Sequence, residues 1–125
     1  MPKVSKETTA KVLEFPVAVD RSSDLDGYTV NFVSILEGHD LAPMLKVLPG
    51  EHCSCPHWGY VLNGRLTITY PDRTETFDAG DAFYMPPGHT PAADSGTEFV
   101  MFSPADQLAA TDAAIKAGMA ATHGG

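Results

Sequence analysis

Short apolar runs alternate with turn-forming residues between positions 28 and 102, which is the pattern of β-strands. The run from Tyr28 to Leu36 is rich in β-branched and aromatic residues. Further along, Leu66, Ile68 and Tyr70 alternate with polar neighbours, which predicts one buried and one exposed face. We also predict strands at Phe15–Val19, Met44–Leu48, Tyr60–Leu62, Arg65–Tyr70, Glu75–Phe77, Ala82–Met85 and Glu98–Phe102. The whole pattern predicts an all-β sandwich or barrel.

Turn and helix signals add three local predictions. Asn63-Gly64 lies between two apolar runs and predicts a tight β-hairpin. The segment Asp20–Gly27 is polar and predicts a turn-rich connector. Ser103 and Pro104 have the residue types of an N-cap and a first helical position, so they predict the start of a C-terminal helix.

The length of 125 residues fits a single domain. We divide it into an N-terminal arm or edge strand at 1–27, a β-barrel at 28–103, and a C-terminal helix with a frayed tail at 104–125. Eight basic against sixteen acidic residues give a net charge of −8, which disfavours binding to nucleic acid or to an anionic membrane. No secretory signal or membrane-spanning run is present in the sequence, so we expect a soluble, cytoplasmic protein.

The residues with chemical potential are concentrated in two segments. The first segment contains Glu51, His52, Cys53, Cys55 and His57, and the second, Ala79–Pro91, contributes His89. Because a disulfide between Cys53 and Cys55 would close a very small, strained ring, the two cysteines are better interpreted as metal ligands, redox groups or buried core residues.

Two runs, Tyr60–Arg65 and Ala79–His89, resemble the signature motifs of the cupins. The second motif matches through Gly80, Pro86 and Gly88, and the first matches in its closing half, through Gly64. The resemblance implies a double-stranded β-helix, or jelly-roll barrel, of the small RmlC-like type. It also implies a homodimer formed through the sheets. It does not imply one function, since cupins include enzymes, storage proteins and sensor domains.

At the metal positions of the cupin motifs, this chain does not have the usual metal-binding residues. The position of the usual glutamate falls on His57, and that of the last histidine falls on Pro91, two residues after His89. A bend at Cys55-Pro56 would instead let Cys53 or Cys55 meet both imidazoles at the barrel mouth, with Glu51 or His52 as a fourth ligand. Such a sulfur and nitrogen site suits zinc best, with copper or nickel as softer alternatives.

Three functions remain open on the sequence. The first is a cupin with an atypical transition-metal site at Glu51, Cys53, Cys55, His57 and His89 that binds or acts on a small polar molecule. The second is a metal-free ligand-binding or redox-sensing module, in which Cys53 and Cys55 report redox state. The third is a structural homodimer without catalysis, whose cysteines and histidines are ordinary core residues. The sequence does not indicate a substrate or a reaction.

Overall fold

The computed structural model describes residues 3–40, 45, 48 and 55–123 of the chain. This part contains ten β-strands and one long helix. The strands are β1 Lys11–Glu14, β2 Ala18–Leu25, β3 Tyr28–Ile35, β4 His39–Asp40, β5 His57–Asn63, β6 Arg65–Thr69, β7 Thr74–Asp78, β8 Ala82–Met85, β9 Thr90–Ala93 and β10 Glu98–Pro104. Helix α1 is Ala105–His123. No helix in the described residues is long and apolar enough to span a bilayer.

The strands form two antiparallel sheets. The larger sheet has the order β1-β2-β3-β10-β5-β8, and the smaller has the order β4-β9-β6-β7. Both sheets contribute side chains to one apolar core, as in a sandwich of two packed layers. The buried members of this core are Ala18, Ile35, Val61, Leu66, Ile68, Tyr70, Phe83, Met85 and Phe99. The prediction of an all-β jelly roll with a C-terminal helix is therefore confirmed.

The predicted Asn63-Gly64 hairpin is wrong, because β5 and β6 belong to different sheets. A two-residue type I′ turn needs positive φ at both central residues, whereas here only Gly64 has it, with φ of +79°. A Cβ atom on Gly64 would also collide with Thr97. The chain uses this glycine to cross from one sheet to the other with close backbone approach.

Two further local predictions are corrected by the structure. The predicted connector Asp20–Gly27 is for most of its length the strand β2, which pairs with β3 along eight residue positions. Ser103 is not a helix N-cap: it belongs to β10, and the helix begins at Ala105. The predicted strand Met44–Leu48 lies outside the described residues except for Leu45 and Leu48.

Helix α1 packs against a second, smaller apolar cluster. Cys55 and Leu108 are buried there together with Leu45 and Leu48, and Ile115 packs against them. Leu108 and Ile115 are seven residues apart and therefore lie on the same side of the helix. The helix is thus attached through one apolar side, which contains Leu108 and Ile115.

Candidate metal and ligand site

His57 is the first residue of β5 and lies on the inner face of the larger sheet. It pairs with Met85 of β8, a core residue, and only 6% of its surface is exposed. Its Nδ1 lies 2.6 Å from the Oγ of Ser103, which is completely buried on the neighbouring strand β10. The position of His57 is therefore set by two strands and by one short hydrogen bond.

His89 lies between β8 and β9, after the sequence Pro86-Pro87-Gly88, and is fully buried. Its Nδ1 is 2.7 Å from the carbonyl oxygen of Pro86. A carbonyl oxygen only accepts hydrogen bonds, so Nδ1 carries the proton and donates it. In the neutral ring Nε2 then has the lone pair, which is the arrangement of a metal-binding histidine oriented by a backbone carbonyl.

The two imidazoles contact one another inside the barrel. Their ring centroids are 4.9 Å apart, and the ring planes are inclined by 53°. Burial, and then the neighbouring His89, lower the pKa of His57 to about 3. His57 is therefore neutral at physiological pH, as a nitrogen ligand to a metal must be.

The structure brings His57 and His89 together, but it does not bring Cys55 to them as a third ligand. Within the described ranges, no group of three or more histidine, cysteine or acidic side chains is arranged to hold a metal ion. Cys55 lies in the apolar cluster under helix α1, where it is 1% exposed. Glu51 and Cys53 of the predicted site lie outside the described residues, as does His52, the alternative to Glu51.

Sequence reasoning missed Ser103 as a partner of His57. Ser103 follows an apolar strand and precedes Pro104, as a helix N-cap would. It was therefore interpreted as an N-cap and not as a residue on the inner face of β10. Strand alternation could have found it, because Phe99, Met101 and Ser103 have the same parity and point the same way.

Comparisons with known proteins identify the fold. A protein of unknown function from Rhizobium leguminosarum bv. viciae 3841 superposes with a TM-score of 0.60 at 20% identity, covering 82% of this chain and 94% of the other. An RmlC-like cupin from Shewanella frigidimarina NCIMB 400 gives 0.54 at 16%, covering 81% and 88%. The polyketide cyclase RemF from Streptomyces resistomycificus gives 0.58 at 21%, covering 83% and 79%. No protein-family model and no curated protein matches the sequence.

These structures, together with the two packed sheets, show that the chain has the cupin jelly-roll fold. The fold agrees with the resemblance seen in the two sequence motifs. Because one fold supports many activities, the function must be argued from the residues of the site.

Proposed function

We propose that this protein is a small cupin that binds a transition metal, zinc by preference, through His57 and His89, and that it binds a small polar molecule beside the metal. The observation that supports this most is the buried imidazole pair, with centroids 4.9 Å apart and His89 Nδ1 donating to the Pro86 carbonyl. Two buried imidazoles in contact, each oriented by a hydrogen bond, are a costly arrangement for a core and a favourable one for a metal site.

The residues present fit zinc in part. The imidazoles supply two of the three or four protein ligands that zinc uses, and the remaining ligands would come from Glu51, His52 or Cys53. Cys55 packs on the helix instead, so we assign the sulfur ligand to Cys53. When bound, zinc would act as a Lewis acid on the small polar molecule beside it. Ser103 orients His57, and the Pro86 carbonyl orients His89.

Metal analysis of the full chain, purified without a histidine tag, tests this proposal. We expect about one zinc per chain in the wild type and much less in His57→Ala and His89→Ala. His39→Ala is the matched control, because His39, in the short strand β4, hydrogen-bonds through Nδ1 to the backbone carbonyl oxygen of Glu37 and is not part of the pair. A wild-type stoichiometry near zero after zinc loading, or an equal loss in all three variants, would contradict it.

The metal-free redox sensor is less well supported. Cysteine reactivity depends on exposure and on a stabilised thiolate, whereas Cys55 is 1% exposed among leucine side chains. A role for the Cys53 and Cys55 pair in sensing would require the helix contact to open.

A homodimer is a second proposal, and the outer face of the larger sheet favours it. Trp58 pairs with Phe102 on one side and with Tyr84 on the other, and its ring stacks on Tyr84 with a centroid distance of 5.0 Å. Tyr28 lies edge-on to Trp58, and Tyr60 follows on the same strand. These five aromatic side chains, which we call the aromatic face, are each 42–47% exposed.

The aromatic face is large enough to form the apolar centre of a dimer interface. An aromatic side chain covers about 150–250 Å², so five that are nearly half exposed present roughly 450 Å². A stable interface buries about 800 Å² per partner around an apolar centre of this kind. A second copy of this chain is the occupant we propose. The five aromatic side chains are uncharged, so two chains that each carry a charge of −8 can meet there without repulsion between those side chains.

Sedimentation of the full chain at micromolar concentration tests the dimer. We expect a dimer for the wild type and a monomer for Trp58→Arg. Thr76→Arg, at an exposed position of β7 in the smaller sheet, is the control and should remain a dimer. A monomeric wild type, or a Trp58→Arg variant that still dimerises, would overturn the proposal.

A further inference from the structure

Four neighbouring strands of the larger sheet each contribute a polar side chain to a stripe across its inner face. They are His57 on β5, Ser103 on β10, Asn31 on β3 and Asp20 on β2. His57 and Ser103 are joined by a hydrogen bond of 2.6 Å, and Asn31 Nδ2 donates to Asp20 Oδ1 at 2.9 Å. This polar stripe runs diagonally across the sheet, because Ser103 is opposite Thr29 of β3 whereas Asp20 is opposite Val33. Asp20 therefore lies roughly 20 Å from His57, three strand spacings across the sheet and four residues along it.

Asn31 is the member of the stripe whose hydrogen bonding is incomplete. It is 5% exposed, and its Nδ2 is held by Asp20. Its Oδ1 is buried and accepts no hydrogen bond from the residues that the structure describes. A buried amide oxygen without a donor is unfavourable, so this atom is suited to a donor that belongs to a ligand.

The charges around Asn31 determine which donor fits. Burial raises the pKa of Asp20, against the opposing effects of the Asn31 hydrogen bond and of Lys11. Partial burial, and then the charge of Asp20, raise the pKa of Asp112 on helix α1. Lys11, on β1, is close enough to affect both carboxyl groups, yet it forms no ion pair with either one in the described part of the chain. The two carboxyl groups of Asp20 and Asp112 are thus close to a single cationic side chain, Lys11. A further positive charge would be favourable beside them.

We propose that Asp20 and Asn31 form a subsite for the primary ammonium group of a small ligand. The proposal rests on the proposed function, because it places the other end of that ligand towards His57 and His89. An ammonium group has three donors, which can satisfy Asn31 Oδ1 and the Asp20 carboxylate together. The site therefore selects small amines over alcohols and acids of the same size.

The side-chain amides offer a direct test, because the chain contains only Asn31, Asn63 and Gln107 as amide side chains. We would titrate the ¹⁵N-labelled full chain with n-propylammonium and follow these three pairs of NMR signals. The Asn31 pair, identified by its loss in Asn31→Leu, should shift and saturate at millimolar concentration. The signals of Asn63, which is exposed at the end of β5 and donates to the carbonyl oxygen of Gly96, should stay in place.

Matched probes and variants define the outcomes. Propan-1-ol and propanoate should shift the Asn31 signals much less, and Asp20→Asn should weaken n-propylammonium binding at least tenfold. An equal response to propan-1-ol would show a general donor site or a water site and would overturn the proposal, as would no shift at all. Calcium chloride is the remaining arm, and a response to Ca²⁺ alone would replace the ammonium by a metal cation and also overturn it.

The same experiment separates this inference from the metal site. His57→Ala should lose zinc but keep the response of Asn31 to n-propylammonium, since the two positions are on different strands of the stripe. Asp20→Asn should lose the response and keep zinc. If zinc is absent and the response persists, only the metal proposal fails; if zinc is bound and the response is absent, only the ammonium subsite fails.

Discussion

Ser103 Oγ lies 2.6 Å from His57 Nδ1, and both residues are buried on adjacent strands of the larger sheet. Ser103 is also two residues before the start of helix α1. One hydroxyl group therefore connects the orientation of a candidate metal ligand to the end of the barrel at which the helix begins.

We expect Ser103→Ala to lower zinc affinity by about 10–100-fold, because the partner that orients a metal-binding histidine would be lost. The variant should also reduce the free energy of unfolding by about 1–2 kcal/mol. Competition with a zinc chelator measures the affinity. Ser34→Ala is the control, since Ser34 bonds only to Glu98 on the other face, and it should bind zinc normally. Unchanged affinity in Ser103→Ala would contradict this role.

The stability of the metal-free protein should depend on pH through His57. Its pKa is about 3 in the fold against 6.5 ordinarily, so between these values the unfolded chain binds a proton that the folded chain does not. The contribution is complete above about pH 6.5 and is lost as the pH falls towards 3, with an upper limit of about 5 kcal/mol. Urea unfolding at several pH values measures it.

His57→Gln isolates this effect, because glutamine does not titrate. The difference in unfolding free energy between the wild type and His57→Gln should shrink as the pH falls from 7 to 4. A constant difference for His57→Gln would show that His57 is not held neutral.

The glycine at the crossing between the sheets should tolerate alanine poorly. Gly64 and Gly80 both have positive φ, +79° and +96°, so alanine costs about 1–2 kcal/mol at either position. Only at Gly64 would the added Cβ collide with Thr97, whereas nothing lies within 4 Å at Gly80. We expect Gly64→Ala to lose about 1–3 kcal/mol more than Gly80→Ala in thermal or urea unfolding. Equal losses would contradict the close approach.

The two cysteines should respond differently to substitution. Cys55→Ala removes a buried side chain from the cluster under helix α1, so it should reduce the free energy of unfolding by about 1 kcal/mol and leave the zinc content unchanged. Cys53→Ala should reduce zinc content. Unfolding curves and metal analysis on the same two samples distinguish these effects. The reverse result would assign the sulfur ligand to Cys55.

The periodic strands were predictable from the sequence because burial imposes a strict alternation. Leu66, Ile68 and Tyr70 are apolar at every second position, and all three are buried. His57 could be singled out because it falls on a metal position of the first cupin motif, and His89 because it lies two residues before the last metal position of the second motif. Their contact inside the barrel agrees with that reasoning.

The parts that the sequence did not reveal depend on contacts between distant strands. Strand β2 is polar on its inner side, where Asp20 bonds to Asn31 of β3, so the run resembles a connector when it is considered alone. The Asn63-Gly64 pair has the residue types of a hairpin, but the close approach to Thr97 is a tertiary feature. In both cases tertiary structure overrides a local signal.

Anomalous diffraction from a crystal of the zinc-loaded full chain would test the central claim most directly. We expect one strong zinc peak inside the barrel, about 2.0–2.1 Å from an imidazole nitrogen of His57 and from Nε2 of His89. A zinc peak elsewhere on the chain, or an interior with no peak in fully loaded crystals, would contradict the account.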